Sequence, residues 1–214
     1  MTCSSSLSDV KEALVLDTSV LINLHACGYG EQILAAIPND IIVTQIVAGE
    51  LEHETSRRNG EHSFLKTLVA SQGVSVTELT DSEFEIFFEL TSSAPELDDG
   101  EAATLAVAAA RGCLPIIDEK RGRGRATTLL PGRKPGWSLE LFRHPVTLDT
   151  LGDEGAREAL FLALRDGRMR IPAISTDEVI ALIGEERARD CTCLPGYKLR
   201  FGARIEAGIR AGVA

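Results

Sequence analysis

The segment "DDGEAATLAVAAARGCLPIID", residues 98–118, carries the most regular pattern in the chain. Its alanine-rich part predicts a helix from Gly100 to Arg111, because alanine and leucine have high helix propensity. Gly112 follows, and glycine ends helices well since it adopts a left-handed backbone at little cost. "CLPII" then predicts a short buried strand that ends at Asp118. A helix that leads directly into a strand is typical of an α/β unit, and here an acidic residue marks the carboxyl end of the strand.

The beginning of the chain repeats this arrangement. In "EALVLDTSVLINL", residues 12–24, an apolar run predicts a strand that ends at Asp17 and is followed by a helix. "DIIVT" predicts a second strand from Asp40 to Thr44, and Thr44 is suited to cap a helix in "TQIVAGELEHE". The alternation predicts an α/β fold with a central, mainly parallel sheet, in which functional groups gather at the carboxyl ends of the strands.

The rest of the chain has weaker patterns. Further elements are predicted as a helix over residues 63–71, a strand in "GVSVTEL", a helix beginning with Asp81 as its cap, and two helices over residues 154–166 and 177–187. "LLPGRKPGW" reads as a loop, and no internal repeat is evident. We therefore expect an α/β domain over residues 1–130 and a mainly helical C-terminal extension over residues 131–214.

Composition limits the classes of function. The formal net charge of −10 argues against nucleic-acid binding through overall charge, so any contact with phosphates must be local. No apolar run approaches the roughly 18 residues of a membrane span, and the start of the chain lacks the basic and apolar regions of a signal peptide. The five cysteines are odd in number and mostly scattered, which predicts reduced thiols. We expect a cytoplasmic protein that does not bind a membrane.

Acidic residues recur near the predicted strand ends. Asp17 and Asp118 each end an apolar strand, Glu50 lies on the helix after the second strand, and Asp99 and Glu101 begin the alanine-rich helix. Each has an ordinary explanation alone, as a helix cap, a dipole partner or one acid on a solvated face. Together, two strand-end acids of a parallel sheet open onto the same edge, where helix acids can reach them. Clustered carboxylates repel one another, and a hard cation such as Mg²⁺ or Mn²⁺ would neutralise them.

A basic segment follows the last of these acids. "EKRGRGR" contains Lys120, Arg121, Arg123 and Arg125, and we expect it to form a loop. A solvated, flexible loop is its ordinary interpretation. Beside a carboxylate site, however, the segment could hold an anionic substrate. Cation chemistry at such a site suits phosphodiester hydrolysis, because a divalent metal activates water and offsets charge on the phosphate.

Three stretches together resemble the PIN-domain nucleases, especially their toxin-like bacterial and archaeal branch. They are "LVLDTSVLINL", "TQIVAGELEHE" and "LDDGEAATLAVAAARGCLPIIDEKRGR". The resemblance covers residues 12 to 130 and implies a parallel sheet with helices on both sides and an acidic pocket that binds Mg²⁺ or Mn²⁺ for RNA cleavage. The implied acids are Asp17, Glu50, Glu101 and Asp118. Glu119 competes with Asp118 for the fourth position, Asp99 is a second-choice ligand, and Ser19 is the small polar residue that would orient water or a carboxylate.

The resemblance also implies partners. Many relatives are toxins that a small antitoxin neutralises, and many form homodimers, so RNA, an antitoxin and a second copy of the chain are the expected partners. The leading hypothesis is a metal-dependent endoribonuclease in which the basic segment positions the RNA backbone. Two alternatives stay open: a PIN-like binding or assembly module that no longer cleaves, and a nuclease that acts on DNA.

Overall fold

The computed structural model of the protein describes residues 6–94 and 96–202. Its centre is a sheet of four short parallel strands in the order β3-β2-β1-β4. The strands are β1 (Leu14–Leu16), β2 (Ile41–Thr44), β3 (Ser75–Thr77) and β4 (Leu114–Ile116). Leu14 pairs with Ile41 of β2 and with Leu114 of β4, so β1 and β4 run side by side and end together. The predicted α/β fold with a parallel sheet is confirmed.

Helices connect and cover these strands. They are α1 (Thr18–Ala26), α2 (Gly30–Ala36), α3 (Gln45–Glu50), α4 (Glu54–Asn59), α5 (Glu61–Ala70), α6 (Asp81–Ser92), α7 (Asp99–Arg111), α8 (Lys120–Leu129), α9 (Ser138–Phe142), α10 (Pro145–Arg165), α11 (Thr176–Ile183) and α12 (Glu185–Ala188). Two short 3₁₀ turns cover Ser6–Asp9 and Ala173–Ser175. None of these described helices has both the length and the hydropathy that crossing a bilayer requires.

Both faces of β1 are covered by apolar side chains. Val15 packs with Val107 and Ala108 of α7, whereas Leu14 and Leu16 belong to the large core on the other face. Side chains of successive strand residues point to opposite faces, so a strand covered on both sides reads as a continuous apolar run. The local sequence of β1 is therefore typical of its place in the middle of the sheet.

Several helix ends follow the predicted local rules. Thr44 caps α3 by accepting a hydrogen bond from the Val47 N–H at 3.2 Å. Gly112 ends α7 with a φ of 69°, in the left-handed region that glycine adopts easily. The predicted cap at Asp81 is wrong by one residue: Thr80 is the N-cap of α6, and the Glu83 carboxylate accepts from its backbone N–H at 2.8 Å. This reciprocal capping box explains the shift, because it needs Glu83 three residues after the cap.

The basic segment is also different from its prediction. Residues 120–129 form helix α8 and not a loop, with Gly122 and Ala126 buried on its inner side. A methyl group added at Gly122 would come within 2.7 Å of the Glu101 carboxylate, so the helix packs directly onto that acid. The small residues on one side of α8 let it lie close to the end of β4, which compensates for the low helix propensity of two glycines.

The C-terminal extension shares the large core. Leu160 and Leu164 of α10 lie in the same apolar cluster as Leu16 of β1 and Leu21 of α1. The predicted helix over residues 177–187 is two helices, because Gly184 interrupts it with a φ of 90°. The division of the chain at residue 130 stays a prediction. The four described cysteines are free thiols, and Cys3 lies outside the described residues.

Candidate active site

The carboxyl ends of β1 and β4 bring Asp17 and Asp118 to one edge of the sheet. The two strands are neighbours, and the Asp17 N–H donates to the carbonyl of Ile116 at 3.3 Å. Both carboxylates are 3% exposed. The sequence therefore predicted this pair correctly as strand-end acids, and the parallel register places them side by side.

Asp17 has two structural roles at once. It is the N-cap of α1, and its Oδ2 accepts hydrogen bonds from the Ser19 hydroxyl at 2.7 Å and from the Ser19 N–H at 3.4 Å. Burial raises the pKa of Asp17 to about 7, while the hydrogen bond from Ser19 opposes this and the charge of Asp98 adds to it. Asp17 therefore caps α1 and still has a raised pKa, because burial disfavours its charged form.

Asp118 is held by two residues that sequence reasoning missed. Its Oδ2 accepts from the Asn23 amide at 2.9 Å and its Oδ1 from the Ser138 N–H at 2.8 Å. Burial raises its pKa to about 6, with the hydrogen bonds of Ser138 opposing the shift. Asn23 could have been suspected, because it is a polar residue inside an apolar helix and lies one turn after Ser19. Ser138 offers no signal in the sequence, since it belongs to the weakly patterned extension.

Glu101 is the least compensated acid of the site. It lies in the first turn of α7, is 3% exposed, and its Oε1 has no hydrogen-bond partner in the described residues. Burial raises its pKa to about 8, the charges of Asp98, Asp17 and Glu119 raise it further, and the backbone of Gly122 opposes the shift. A buried carboxylate oxygen without a partner is costly, so it marks a place where a positive charge would be stabilised.

Glu50 reaches the same edge from the end of α3. Its Oε1 accepts from the Gly100 N–H at 2.9 Å, and its Oε2 accepts from the Thr18 hydroxyl. A methyl group at Gly100 would lie only 2.6 Å from Glu50 Oε2, so this approach requires glycine. Burial raises the pKa of Glu50, and the charge of Asp98 adds to the shift. Glu50 is thus tied by one hydrogen bond to the start of α7 and by another to the start of α1.

Asp98 is an acid of the cluster that the sequence analysis did not choose. It is the N-cap of α7, where it accepts from the Glu101 N–H at 2.8 Å, and its charge raises the pKa values of Asp17, Glu50 and Glu101. Asp99, the predicted second-choice ligand, is exposed and adds only to the pKa shift of Glu50. The cap position just before α7 is the signal that could have favoured Asp98.

Glu119 lies at the rim of the site. It precedes α8 and forms an ion pair with Arg170 of the extension, and its side chain is 35% exposed. Asp118 is by contrast fully enclosed. The two residues that compete for the fourth position therefore have different environments, and both lie beside the cluster, so the choice between them stays a prediction.

The donor set suits a hard cation, because it consists of carboxylate oxygens and includes the unpartnered Oε1 of Glu101. Burial raises the pKa values of Asp17, Glu101 and Asp118, and a bound cation would favour their charged forms. Within residues 6–94 and 96–202, however, no three carboxylate, imidazole or thiol groups are arranged around one point as metal ligands. The residues fit a divalent cation in chemistry, and they do not form a preformed cage.

Only part of the basic segment faces this cluster. Lys120 and Arg121 line a cavity of about 440 Å³ together with Asp98, Glu101 and Glu119. Arg125 is partly buried farther along α8 and does not line this cavity. Two of the four predicted phosphate-binding cations therefore lie at the acids.

Arg123 points the other way. Its guanidinium donates to the carbonyls of Ile117, Gly136 and Pro135 at 2.7, 2.6 and 2.8 Å and lies 3.7 Å from the centre of the Trp137 ring. Ile117 follows β4, whereas Gly136 and Pro135 lie in the segment before α9, so Arg123 joins these two segments. The structure therefore does not bring Arg123 to the acidic cluster, and its contact with nucleic acid stays a prediction.

A second cavity of about 650 Å³ adjoins the first. Ser19, Asn23 and Asp118 form part of its wall, and the C-terminal extension contributes Trp137, Gly167, Arg168 and Arg170, among others. Glu119, Lys120 and Arg170 line both cavities, so the cavity beside Asp118 adjoins the cavity beside Glu101 and Asp98. The sequence left the role of residues 131–214 open, with covering the pocket as one possibility, and the extension lines this cavity.

The comparison with family models agrees with this geometry. Residues 13–130, more than half of the chain, match a model described as DUF3368, a PIN domain. No curated protein and no solved structure matches the chain significantly. Members of the PIN family have a nuclease-type fold, are typically nucleases and generally use divalent metals. The family match therefore covers β1 to α8 and all the predicted acids, and the chain belongs to the PIN-domain family.

Proposed function

We propose that this protein is a metal-dependent endoribonuclease. The observation that carries the proposal is the concentration of buried, uncompensated carboxylates, chiefly Asp17 and Glu101, at the carboxyl edge of the parallel sheet. Exposed Lys120 and Arg121 line the same cavity as Glu101 and Asp98. A site with strong local negative charge and adjacent cations can hold a divalent metal and a phosphate together, which an acidic protein could not do through its overall charge.

The described residues have distinct expected roles. Asp17, Glu101 and Asp98 would hold the cation, with Glu50, Asp118 and Glu119 as the further acidic ligands of the set. A divalent cation at this position would activate water and offset the charge that develops on the phosphate. The Ser19 hydroxyl holds Asp17 Oδ2 in place, and Asn23 and Ser138 orient Asp118. Lys120 and Arg121 would bind the backbone of the substrate beside the cluster.

The raised pKa values predict the pH dependence of cation binding. Asp17, Asp118 and Glu101 have pKa values of about 7, 6 and 8, so they carry protons that must leave before a cation binds. Affinity for Mn²⁺ and cleavage should therefore rise with pH between about 6 and 8.

The nuclease proposal is tested by incubating the protein with a mixed pool of structured and single-stranded RNA in Mn²⁺, in Mg²⁺ and in chelator. We expect cleavage only with a metal. Asp17→Asn should lower the rate roughly a hundredfold or more, because it removes a charged ligand without changing the shape of the residue. Asp149→Asn is the matched control, since Asp149 is exposed on α10, and it should cleave like the wild type. An active Asp17→Asn protein would overturn the site.

One observation favours a second candidate, a PIN-like binding or assembly module. It is the lack of a preformed three-ligand arrangement in the part of the chain that the structure describes. Calorimetric titration with Mn²⁺ separates the two candidates, because a module without catalysis need not bind the metal. Mn²⁺ binding that depends on Asp17 supports the nuclease. The absence of both cleavage and Mn²⁺ binding supports the module.

The identity of the partners belongs to the proposal as well. RNA is proposed as the substrate on the strength of the family, and parallel assays with single-stranded DNA of the same sequence test this choice. An antitoxin partner, a toxin role and a homodimer stay predictions, as does a cytoplasmic location.

A further inference from the structure

The segment after α10 has an alternating pattern that faces the site. Met169 and Ile171 are 1% and 4% exposed and belong to the large core, whereas Arg168 and Arg170 between and beside them are exposed and line the 650 Å³ cavity. The two apolar anchors fix the segment on the core, and both exposed arginines lie on its cavity side. This segment lies outside the part of the chain that matches the family.

The backbone of this segment is built against the catalytic side of the site. A methyl group at Gly167 would lie 2.8 Å from Oδ1 of Asn23, the residue that hydrogen-bonds Asp118. Arg168 has a φ of 57°, a left-handed conformation that is uncommon for residues other than glycine. The thiol of Cys193 donates to the carbonyls of Met169 and Leu164 at 3.4 and 3.1 Å. A strained backbone held by several contacts points to a set position for the arginine side chains.

The two arginines differ in their present partners. Arg170 forms its ion pair with Glu119, the rim acid that lines both cavities. Within the described ranges, no carboxylate lies at ion-pair distance from Arg168. An exposed ion pair contributes little free energy, so a phosphate could take over Arg170 from Glu119 at small cost. The cavity lined by Asp118 thus also carries the Arg168 guanidinium and the Arg170 guanidinium, which is held by an exposed ion pair.

We propose that Arg168 and Arg170 bind backbone phosphates of a single-stranded RNA substrate, so that the C-terminal extension completes the active site. This inference rests on the proposed nuclease function. A phosphate entering an acidic site needs cations on the opposite wall, and the planar guanidinium binds phosphate through two parallel hydrogen bonds. Such contacts position the strand without reading its sequence.

RNA binding gives the first readout and does not depend on cleavage. Binding is measured in the Asp17→Asn background, in which the RNA is expected to stay intact, by fluorescence anisotropy of a labelled single-stranded oligonucleotide. Trp137 is the only tryptophan of the chain and lines the same cavity, so quenching of its fluorescence reports that the cavity is occupied. The compared changes are Arg168→Ala, Arg170→Ala and, as a control, Arg157→Ala, which removes the same charge where α10 lines a different cavity.

The expected results separate a phosphate contact from a merely structural ion pair. Arg168→Ala and Arg170→Ala should each weaken binding roughly tenfold, since each removes a charge-assisted hydrogen-bond donor. The slope of log K against log salt should fall by about 0.7 for each lost phosphate contact. Arg157→Ala should change neither quantity by a comparable amount. Arg170→Gln provides a second variant of similar size if the alanine variant is poorly folded by circular dichroism.

Cleavage by the otherwise wild-type protein gives the second readout. Arg168→Ala and Arg170→Ala should raise KM for RNA and leave kcat within about twofold, because they remove uniform binding. If the wild type cleaves RNA while both variants match Arg157→Ala in KM and salt slope, this inference fails and the nuclease proposal stands. If the wild type does not cleave and the Asp17→Asn protein does not bind RNA, both fail.

Discussion

Two buried glutamates in the first turns of neighbouring helices have opposite environments. Glu83 of α6 is 1% exposed, and the Arg111 Nε donates to its Oε1 at 2.6 Å, which lowers its pKa to about 2. Glu101 of α7 is 3% exposed and pairs with no cation among the described residues, and burial raises its pKa to about 8. The same residue type at the same helical position is thus fully compensated in one place and left uncompensated in the other.

The difference shows that missing compensation at Glu101 is not a general property of this fold. Glu83 and Arg111 form an ion pair that links α6 to α7. At this purely structural contact the buried carboxylate thus has an arginine partner. At the edge of the sheet it instead places Asp17 and Asp98 near Glu101, which costs stability. Residues that cost stability in this way are often retained for function, and here an external cation would supply the missing charge.

The largest expected effect comes from breaking the compensated pair. Arg111→Ala leaves Glu83 buried without its partner, so the free energy of unfolding should fall by about 2–3 kcal/mol; this is the low end for buried pairs, because solvent reaches Arg111. Urea unfolding measures the loss. Arg133→Ala removes the more exposed pair with Glu12 and should cost under about 1 kcal/mol. Equal losses in the two variants would contradict the contrast.

At Glu101, the uncompensated acid, removing the charge should increase the free energy of unfolding instead of lowering it. The folded chain raises the pKa of Glu101 from 4.5 to about 8, so between these pH values the folded state binds more protons than the unfolded state. In chelator, stability should therefore fall as pH rises from about 4.5 to 8, and Glu101→Gln should be more stable than the wild type at pH 8, by on the order of 1–2 kcal/mol.

Thermal unfolding across this pH range measures the effect at Glu101. Mn²⁺ should raise the melting temperature of the wild type at pH 8 more than that of Glu101→Gln, because the cation takes the place of the lost protons. The opposite result would be a wild type that becomes steadily more stable than Glu101→Gln as the pH rises from 4.5 to 8. It would mean that the protein itself compensates the charge of Glu101.

The smallest expected change in stability comes from a substitution that displaces the Glu101 side chain without changing its charge. Gly122→Ala places a methyl group 2.7 Å from Glu101 Oε1, whereas the same change at Gly124 meets nothing within 4 Å. Both positions lie in α8, so alanine should stabilise the helix by about 0.5–1 kcal/mol at Gly124, and at Gly122 the contact should cancel this gain.

Mn²⁺ affinity by calorimetry distinguishes the two glycine variants. Gly122→Ala should bind Mn²⁺ roughly tenfold or more weakly than the wild type, because disturbing the contacts that support a metal ligand lowers metal affinity by about this factor. Gly124→Ala should bind it like the wild type. Identical affinities for the two variants would mean that Glu101 does not hold the metal.

The sequence alone determined the features that depend on residues close together in the chain. The strand-end positions of Asp17 and Asp118, the cap at Thr44 and the end of α7 at Gly112 follow from local periodicity and backbone preferences, which act over a few residues. The parallel sheet followed from the alternation of these elements. The position of Glu101 at the start of α7 was likewise local information, and the role of these acids as a metal site stays a prediction.

Only the tertiary structure decided how those acids are held and what faces them. Asn23 holds Asp118 across 95 residues of sequence, and Arg170 reaches Glu119 across 51. Arg123 turns away from the site because its guanidinium bonds the carbonyls of Ile117 and Gly136, and its own neighbours in sequence do not reveal that these segments meet. Such contacts depend on where distant segments meet in the packed core, and short-range patterns carry no information about that meeting.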